Sequence, residues 1–95
     1  MPNILTINPA ELSLGHCHPG TPPVGPGASN TFVGLFPVLR AGDSYAPAEC
    51  SDPHPRLCIS GSPDVLIEGL PAFRTGDFIS CGDVGGIGLN NVFIN

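Results

Sequence analysis

The chain has 95 residues, a formal net charge of -5 and three cationic side chains, all arginine, against eight acidic ones. That balance excludes an electrostatic grip on nucleic acid or on anionic lipid headgroups, since both need clustered cations. No segment is apolar over the length of a bilayer span, and a chain this short is expected to form one domain, residues 1–95, that needs a fastening beyond its own core, such as a metal, disulfides or a partner.

Glycine and proline shape everything else. There are 13 Gly and 12 Pro, and the longest run free of both is Leu89 to Asn95. Helices of ordinary length do not survive such spacing. Disorder is not the alternative, because hydrophobic residues make up 41% of the chain, charged residues 12%, and mean hydropathy is +0.23. The expected class is all-β: short strands joined by tight turns, with essentially no helix.

In chain order, Met1 to Ile7 lacks the basic n-region and long apolar run of a secretory signal. Residues 4–15 contain the turn signals Asn8-Pro9-Ala10 and Ser13-Leu14-Gly15, and a first group of metal-ligating types follows, His16, Cys17 and His18. The stretch Asn30-Thr-Phe-Val-Gly-Leu-Phe-Pro-Val-Leu-Arg-Ala-Gly-Asp43 then begins a pattern that returns as Asp64-Val-Leu-Ile-Glu-Gly-Leu-Pro-Ala-Phe-Arg-Thr-Gly-Asp77. Pro37 matches Pro71, Arg40 matches Arg74, Gly42 matches Gly76 and Asp43 matches Asp77, all 34 residues apart, and upstream Gly27 matches Gly61. The units therefore run over about residues 27–43 and 61–77. Between them lie Cys50, His54 and Cys58, and after the second lies Cys81. A partial third copy occupies 88–95, where Asn91-Val-Phe-Ile-Asn95 echoes Asp64-Val-Leu-Ile-Glu68.

Each part of the unit has a physical reading. Thr31 to Val33, Val65 to Ile67 and Val92 to Ile94 are β-branched or apolar and read as short strands. Asn30, Asp64 and Asn91 precede them, where their side chains are expected to bond nearby backbone N–H groups. Gly34 and Gly69 fall in the following turns, one position out of register with each other. Pro37 and Pro71 cap the return strands, and Gly42-Asp43 and Gly76-Asp77 form turns requiring positive φ at glycine. Arg40 can pair with Asp43 and Arg74 with Asp77; if exposed, such pairs add little stability. The third copy lacks its Pro-x-x-Arg-x-Gly-Asp half, and residues 1–15 are expected to supply a degenerate substitute that closes the three units into a ring, although no Arg or Gly-Asp survives there.

The stretch Leu70-Pro-Ala-Phe-Arg-Thr-Gly-Asp77 resembles the Pro-Ala-Ala-Arg-x-Gly-Asp hallmark of PAAR-repeat proteins. Gly61-Ser-Pro-Asp-Val-Leu-Ile67 resembles that family's Gly-Ser-Pro-x-Val-x-Ile strand, Ser80-Cys81-Gly82 its Ser-Cys-Gly, and Gly15-His16 its early Gly-His. The resemblance covers about residues 14 to 95 and is looser in the first unit, where Phe36-Pro-Val-Leu39 replaces Leu-Pro-Ala-Phe. It implies a small conical β fold of three pseudo-repeated hairpins with a metal near the apex. It also implies a function: a membrane-piercing tip that caps a trimeric β-helical spike, one tip per trimer, in a phage tail or a type VI secretion apparatus with a VgrG-like spike. The chain would then be assembled in the bacterial cytoplasm and act at a virion tail tip or after secretion, against a target cell envelope. The early Gly-His tilts the reading toward a phage tail.

Seven residues could ligate the metal: His16, Cys17, His18, Cys50, His54, Cys58 and Cys81. There is no C-x-x-C and no H-x-x-x-H, so spacing leaves the choice open. In the family the ligands follow the turns, and the resemblance implies His16, His54 and Cys81. For the fourth place, where members tend to have a second His in the middle loop, this chain offers Cys50, so the expected set is His16, Cys50, His54 and Cys81, with His18 the substitute for Cys50. Two Cys and two His form an ordinary structural set for zinc, which is expected here rather than iron. Cys17 and Cys58 are expected to be buried or free thiols. No motif of a hydrolase or metalloprotease is present, and no enzymatic activity is expected. The competing reading is a small secreted toxin or inhibitor in which the four Cys form two disulfides.

Overall fold

A computed structural model of the chain describes residues 2–15, 20–46, 56–80 and 82–95. Among these residues there is no helix, and the regular structure consists of six short strands: β1 (Pro23–Gly25), β2 (Phe32–Val33), β3 (Phe36–Pro37), β4 (Ser44–Tyr45), β5 (Leu66–Ile67) and β6 (Leu70–Pro71). Strand β1 pairs antiparallel with β4, β2 with β3, and β5 with β6.

The two hairpins are superposable in register. Phe32 pairs with Pro37 and Val33 with Phe36; Leu66 pairs with Pro71 and Ile67 with Leu70. Both have two-residue turns, and the offset glycines explain how they differ. In the first turn Gly34 takes the positive φ (65°) at the first position, as in a type II′ turn. In the second, both Glu68 (φ 54°) and Gly69 (φ 87°) are left-handed, as in a type I′ turn. Moving the glycine by one residue therefore changes the turn type and leaves the hairpin register intact.

The N-terminal segment supplies the third return strand. Ile4 N–H donates to Val92 C=O (2.9 Å), as Val38 does to Thr31 and Ala72 to Val65 (3.0 Å each). The three segments then close on one another. Leu5 N–H donates to Phe73 C=O (2.9 Å), Phe73 N–H to Leu39 C=O (3.0 Å), and Leu39 N–H to Leu5 C=O (2.9 Å). Three further bonds, from Ile7 N–H to Pro37 C=O, Ala41 to Pro71 and Thr75 to Asn3, link the same segments in the opposite sense. Equivalent residues are 34 apart in every case. A pseudo-three-fold axis thus passes through one chain, and the return strands have no free edge between them.

Side chains alternate about this ring. Ile4, Val38 and Ala72 point toward the hairpins, where Val33, Val65, Ile67 and Ile94 pack on them. Leu5, Leu39 and Phe73 point the other way and pack with Tyr45, Cys58 and Ile79. Phe73 is fully buried and meets the Tyr45 ring edge-on, with centroids 6.0 Å apart. Two apolar layers therefore lie on opposite faces of the ring, one under the hairpins and one around Tyr45, Cys58 and Ile79.

The hallmark turn explains its own residues. In Arg40–Asp43 and Arg74–Asp77 the Asp N–H donates to the Arg C=O (3.0 and 2.9 Å), and the Asp carboxylate accepts the Arg backbone N–H (2.8 Å in both). The guanidinium returns to that carboxylate at 3.5 Å in the first unit and 2.9 Å in the second, and also reaches the carbonyl of Gly27 or Gly61. These ion pairs are not exposed: the Asp side chains are 4% and 9% accessible, so the pair closes a half-buried clip between two turns. The hydrogen bond to Asp77 also raises the Arg74 pKa above its ordinary value. Gly42 and Gly76 have φ of 97° and 91°, and a Cβ at either would meet nothing within 4 Å. The requirement for glycine is thus conformational. Gly76→Ala is expected to lower unfolding free energy by about 1–2 kcal/mol, read as a shift of urea midpoint without a change in m.

The N-terminal unit keeps this clip with different residues. Glu11, 1% accessible, accepts from Thr6 N–H (2.9 Å) and Thr6 hydroxyl (2.6 Å), and its other oxygen accepts from Leu89 N–H (2.6 Å). Thr6 stands 34 residues before Arg40, so Thr6 and Glu11 replace Arg and Asp. Asn90 completes the substitution: its amide donates to Ile4 C=O (2.9 Å), where Ala28 and Ser62 use backbone N–H groups on Val38 and Ala72 (2.8 Å).

The strand-start caps differ from expectation. They come not from Asn30, Asp64 and Asn91 but from Glu68, Ser62 and Asn90. Ser62 Oγ accepts from Asp64 and Val65 N–H (3.1 and 2.9 Å), and Asn90 Oδ1 from Val92 N–H (2.9 Å). The first unit has Ala28 where the second has Ser62, and a residue from the neighbouring hairpin fills the gap. Glu68 accepts from Ser29 N–H and Oγ (3.0 and 2.9 Å), Asn30 N–H (2.7 Å) and Thr31 Oγ1 (3.2 Å). Those bonds favour the carboxylate, chiefly the backbone N–H of Asn30 and then of Ser29, and hold its pKa at about 2 against 4.5. A lowered folded-state pKa means stability present above pH 4.5 and lost as pH falls through about 2. Glu68→Gln is expected to flatten the unfolding-midpoint curve in that window, measured against the parent chain from pH 5 downward.

Candidate functional site

The metal candidates His16, Cys17, His18, Cys50, His54 and Cys81 lie outside the described residues. The stems that carry them are described, and they converge at the end of the molecule opposite the hairpins. Residues 13–15 and 20–22 flank the first loop, 45–46 and 56–58 the second, and 79–80 and 82–84 the third.

Backbone hydrogen bonds knit these stems together. Ser13 N–H donates to Thr21 C=O (2.9 Å), Ala46 to Pro22 (2.9 Å), Tyr45 to Arg56 (2.8 Å) and Ser80 to Leu57 (2.8 Å). Leu14 and Val84 exchange both bonds (2.9 and 2.8 Å). Every stem of the three loops is thereby tied to its neighbour.

Beneath them lies a charged cluster that sequence reasoning missed. Arg56 Nη1 stands 3.1 Å from Asp83 Oδ2, with the two side chains 3% and 0% accessible. Arg56 Nη2 donates to Ser13 Oγ (2.7 Å), which also accepts Thr21 N–H (3.0 Å). Gly15 takes φ 152° beside this cluster, and a Cβ there would lie 2.2 Å from Asp83 Oδ1. This close approach accounts for the glycine before His16. The available sequence signal was Arg56 itself, the one cation outside the repeated Arg40 and Arg74, set between His54 and Cys58.

Cys58 is the described cysteine. It is 2% accessible, bridges antiparallel to Ile79, and is a free thiol. Burial pushes its pKa above the ordinary value, and the charges of Asp43 and Asp77 add to that effect. It is a protonated packing residue at neutral pH and no nucleophile. Among the described residues, no group of three or more His, Cys, Asp or Glu side chains converges as metal ligands do.

The geometry of the described residues defines a class: a small all-β protein in which one chain builds three pseudo-equivalent units around an axis, with hairpins on one side and a knitted set of backbone stems on the other. A family model described as PAAR motif matches residues 14–84. The chain belongs to the PAAR motif family, which is associated with the spike tips of type VI secretion and other contractile systems. No curated protein matches this chain.

Proposed function

We propose that this chain is a metal-pinned tip that caps and sharpens a trimeric β-helical spike, one tip per trimer, and that it leads the spike into a target envelope. The observation that carries the reading is the pseudo-three-fold hairpin end. Phe32, Leu66 and Phe93 are equivalent positions, and they are 55%, 61% and 52% accessible. Leu35, at the first hairpin turn, is 89% accessible. Large apolar side chains repeated about an axis suit a partner with three-fold symmetry, because each unit can meet one subunit alike. The spike end brings open strand edges that such a cap would cover.

The loop end is the place for zinc. His16, Cys50, His54 and Cys81, with His18 in reserve for Cys50, fall in the sequence between described stems that are tied side by side. Two thiolates and two imidazoles are a donor set zinc accepts, and the ion would supply a closed tetrahedral fastening where there is no room for an apolar core. The role is structural; no enzymatic step is proposed. Both a phage tail and a type VI apparatus, each assembled from the cytoplasm, fit this role.

Metal analysis together with mass spectrometry tests the reading. The expected result is about one zinc per chain and no disulfides; a metal-free chain with two disulfides would indicate the secreted toxin or inhibitor instead. Cys81→Ser is expected to weaken metal retention, and unchanged zinc content in that variant would refute its assignment as a ligand. Mixing with cognate spike trimers is expected to yield one chain per trimer by native mass spectrometry.

A further inference from the structure

We infer that Ser13, Arg56 and Asp83 form a buried keystone that holds in register the backbone stems flanking the metal candidates, and so favours capture of the ion, an inference that rests on the metal reading above. The three residues come one from each loop stem. Ser13 leads into residues 16–19, Arg56 follows residues 47–55, and Asp83 follows Cys81. They join at 3.1 Å between Arg56 and Asp83 and 2.7 Å between Arg56 and Ser13, at accessibilities of 4%, 0% and 1%.

Stability alone does not account for such a cluster. Replacing a buried ion pair by apolar side chains of similar volume is commonly neutral or stabilising, because desolvation cancels the attraction. What an apolar contact does not provide is register. The guanidinium is a rigid planar fork with fixed donor directions: Nη2 donates to Ser13 Oγ (2.7 Å), and Nη1 meets Asp83 Oδ2 as an ion pair at 3.1 Å, outside hydrogen-bond geometry, so Ser13 is held by direction and Asp83 by charge. Here its partners are the stems of two different loops.

Asp83 also shapes the third contact. Its carboxylate sits where a Cβ on residue 15 would be, and thereby sets the path of the backbone immediately before His16. Fixed stems reduce the ordering cost that metal binding must otherwise overcome, as preorganisation does at any binding site. Ser13, Arg56 and Asp83 are therefore positioning residues, not ligands.

The test measures zinc affinity of the whole chain by chelator competition, alongside the visible absorption of the Co²⁺-loaded form. Three variants are compared: Ser13→Ala, Arg56→Lys, and the apolar pair Arg56→Met with Asp83→Leu. In the pair, the melting temperature and circular dichroism of the metal-free chain are expected to stay near the parent's. Zinc Kd is expected to rise about 10–100-fold, and the Co²⁺ bands to weaken and broaden as the site loses its fixed geometry. If the pair does not fold, Ser13→Ala and Arg56→Lys decide the matter by the same readouts. Parental Kd and parental Co²⁺ bands in every folded variant would overturn the keystone and leave the metal reading standing. A parent chain that takes up neither ion would overturn both.

Discussion

Arg56→Met is expected to destabilise the fold by about 3–5 kcal/mol, the cost of stripping one partner from a buried ion pair. For a chain of this size that corresponds to a fall in melting temperature of more than about 10 °C. The size of the effect follows from what remains. Asp83 is fully buried, and its carboxylate would face Gly15 and the loop stems without the guanidinium 3.1 Å away. Ser13 Oγ would lose its 2.7 Å donor as well. Thermal unfolding of the metal-free chain reads the effect directly. The prediction has an internal control: adding Asp83→Leu removes the buried carboxylate along with its former ion-pair partner, so the double variant should recover most of the loss. A double variant as unstable as the single one would show that packing of the arginine stem, not its charge, is what matters at this position.

Phe73→Ala is expected to cost about 3–5 kcal/mol by a different route, the loss of a large side chain from a site that cannot collapse. Phe73 is fully buried where the backbone triangle of Leu5, Leu39 and Phe73 closes, and it packs edge-on against Tyr45. The backbone there is pinned by hydrogen bonds on all three sides, so neighbours cannot move in to fill the void. Gly85 lies against the same ring, where a Cβ would come within 2.7 Å of Phe73 Cε2. Phe73→Leu, which keeps most of the volume, should cost far less, and the comparison of the two by urea denaturation separates cavity formation from any change in backbone pairing. If the two variants were equally unstable, the ring edge against Tyr45 would be the dominant interaction.

Much of this architecture was legible in the residues. Gly and Pro spacing ruled out helices, and the identities at a fixed offset of 34 placed both hairpins and both Arg-x-Gly-Asp clips. Those features are local: a positive φ at Gly76 or a two-residue turn at Glu68-Gly69 depends on residues within a few positions of each other. The third unit was harder, because its halves lie at opposite ends of the sequence and share no hallmark residue. Thr6 and Glu11 do the work of Arg and Asp only because a buried carboxylate can accept the same backbone N–H from a longer loop. The caps went astray for a similar reason. Glu68 reaches a turn in a different hairpin, and no local rule predicts an acceptor from so far along the chain.

The candidate site divides in the same way. Composition alone names the His and Cys that can hold an ion, since those are the donors zinc takes, and the family resemblance points to His16, His54 and Cys81 while leaving the fourth place open between Cys50 and His18. What only the tertiary structure decided is the ground on which they stand: three stems brought side by side, with Arg56 drawn under them to meet Asp83 and Ser13. An isolated arginine in a sequence reads as surface charge. Its burial here depends on two partners distant in the chain, so that pairing exists only once the ring of three units has closed.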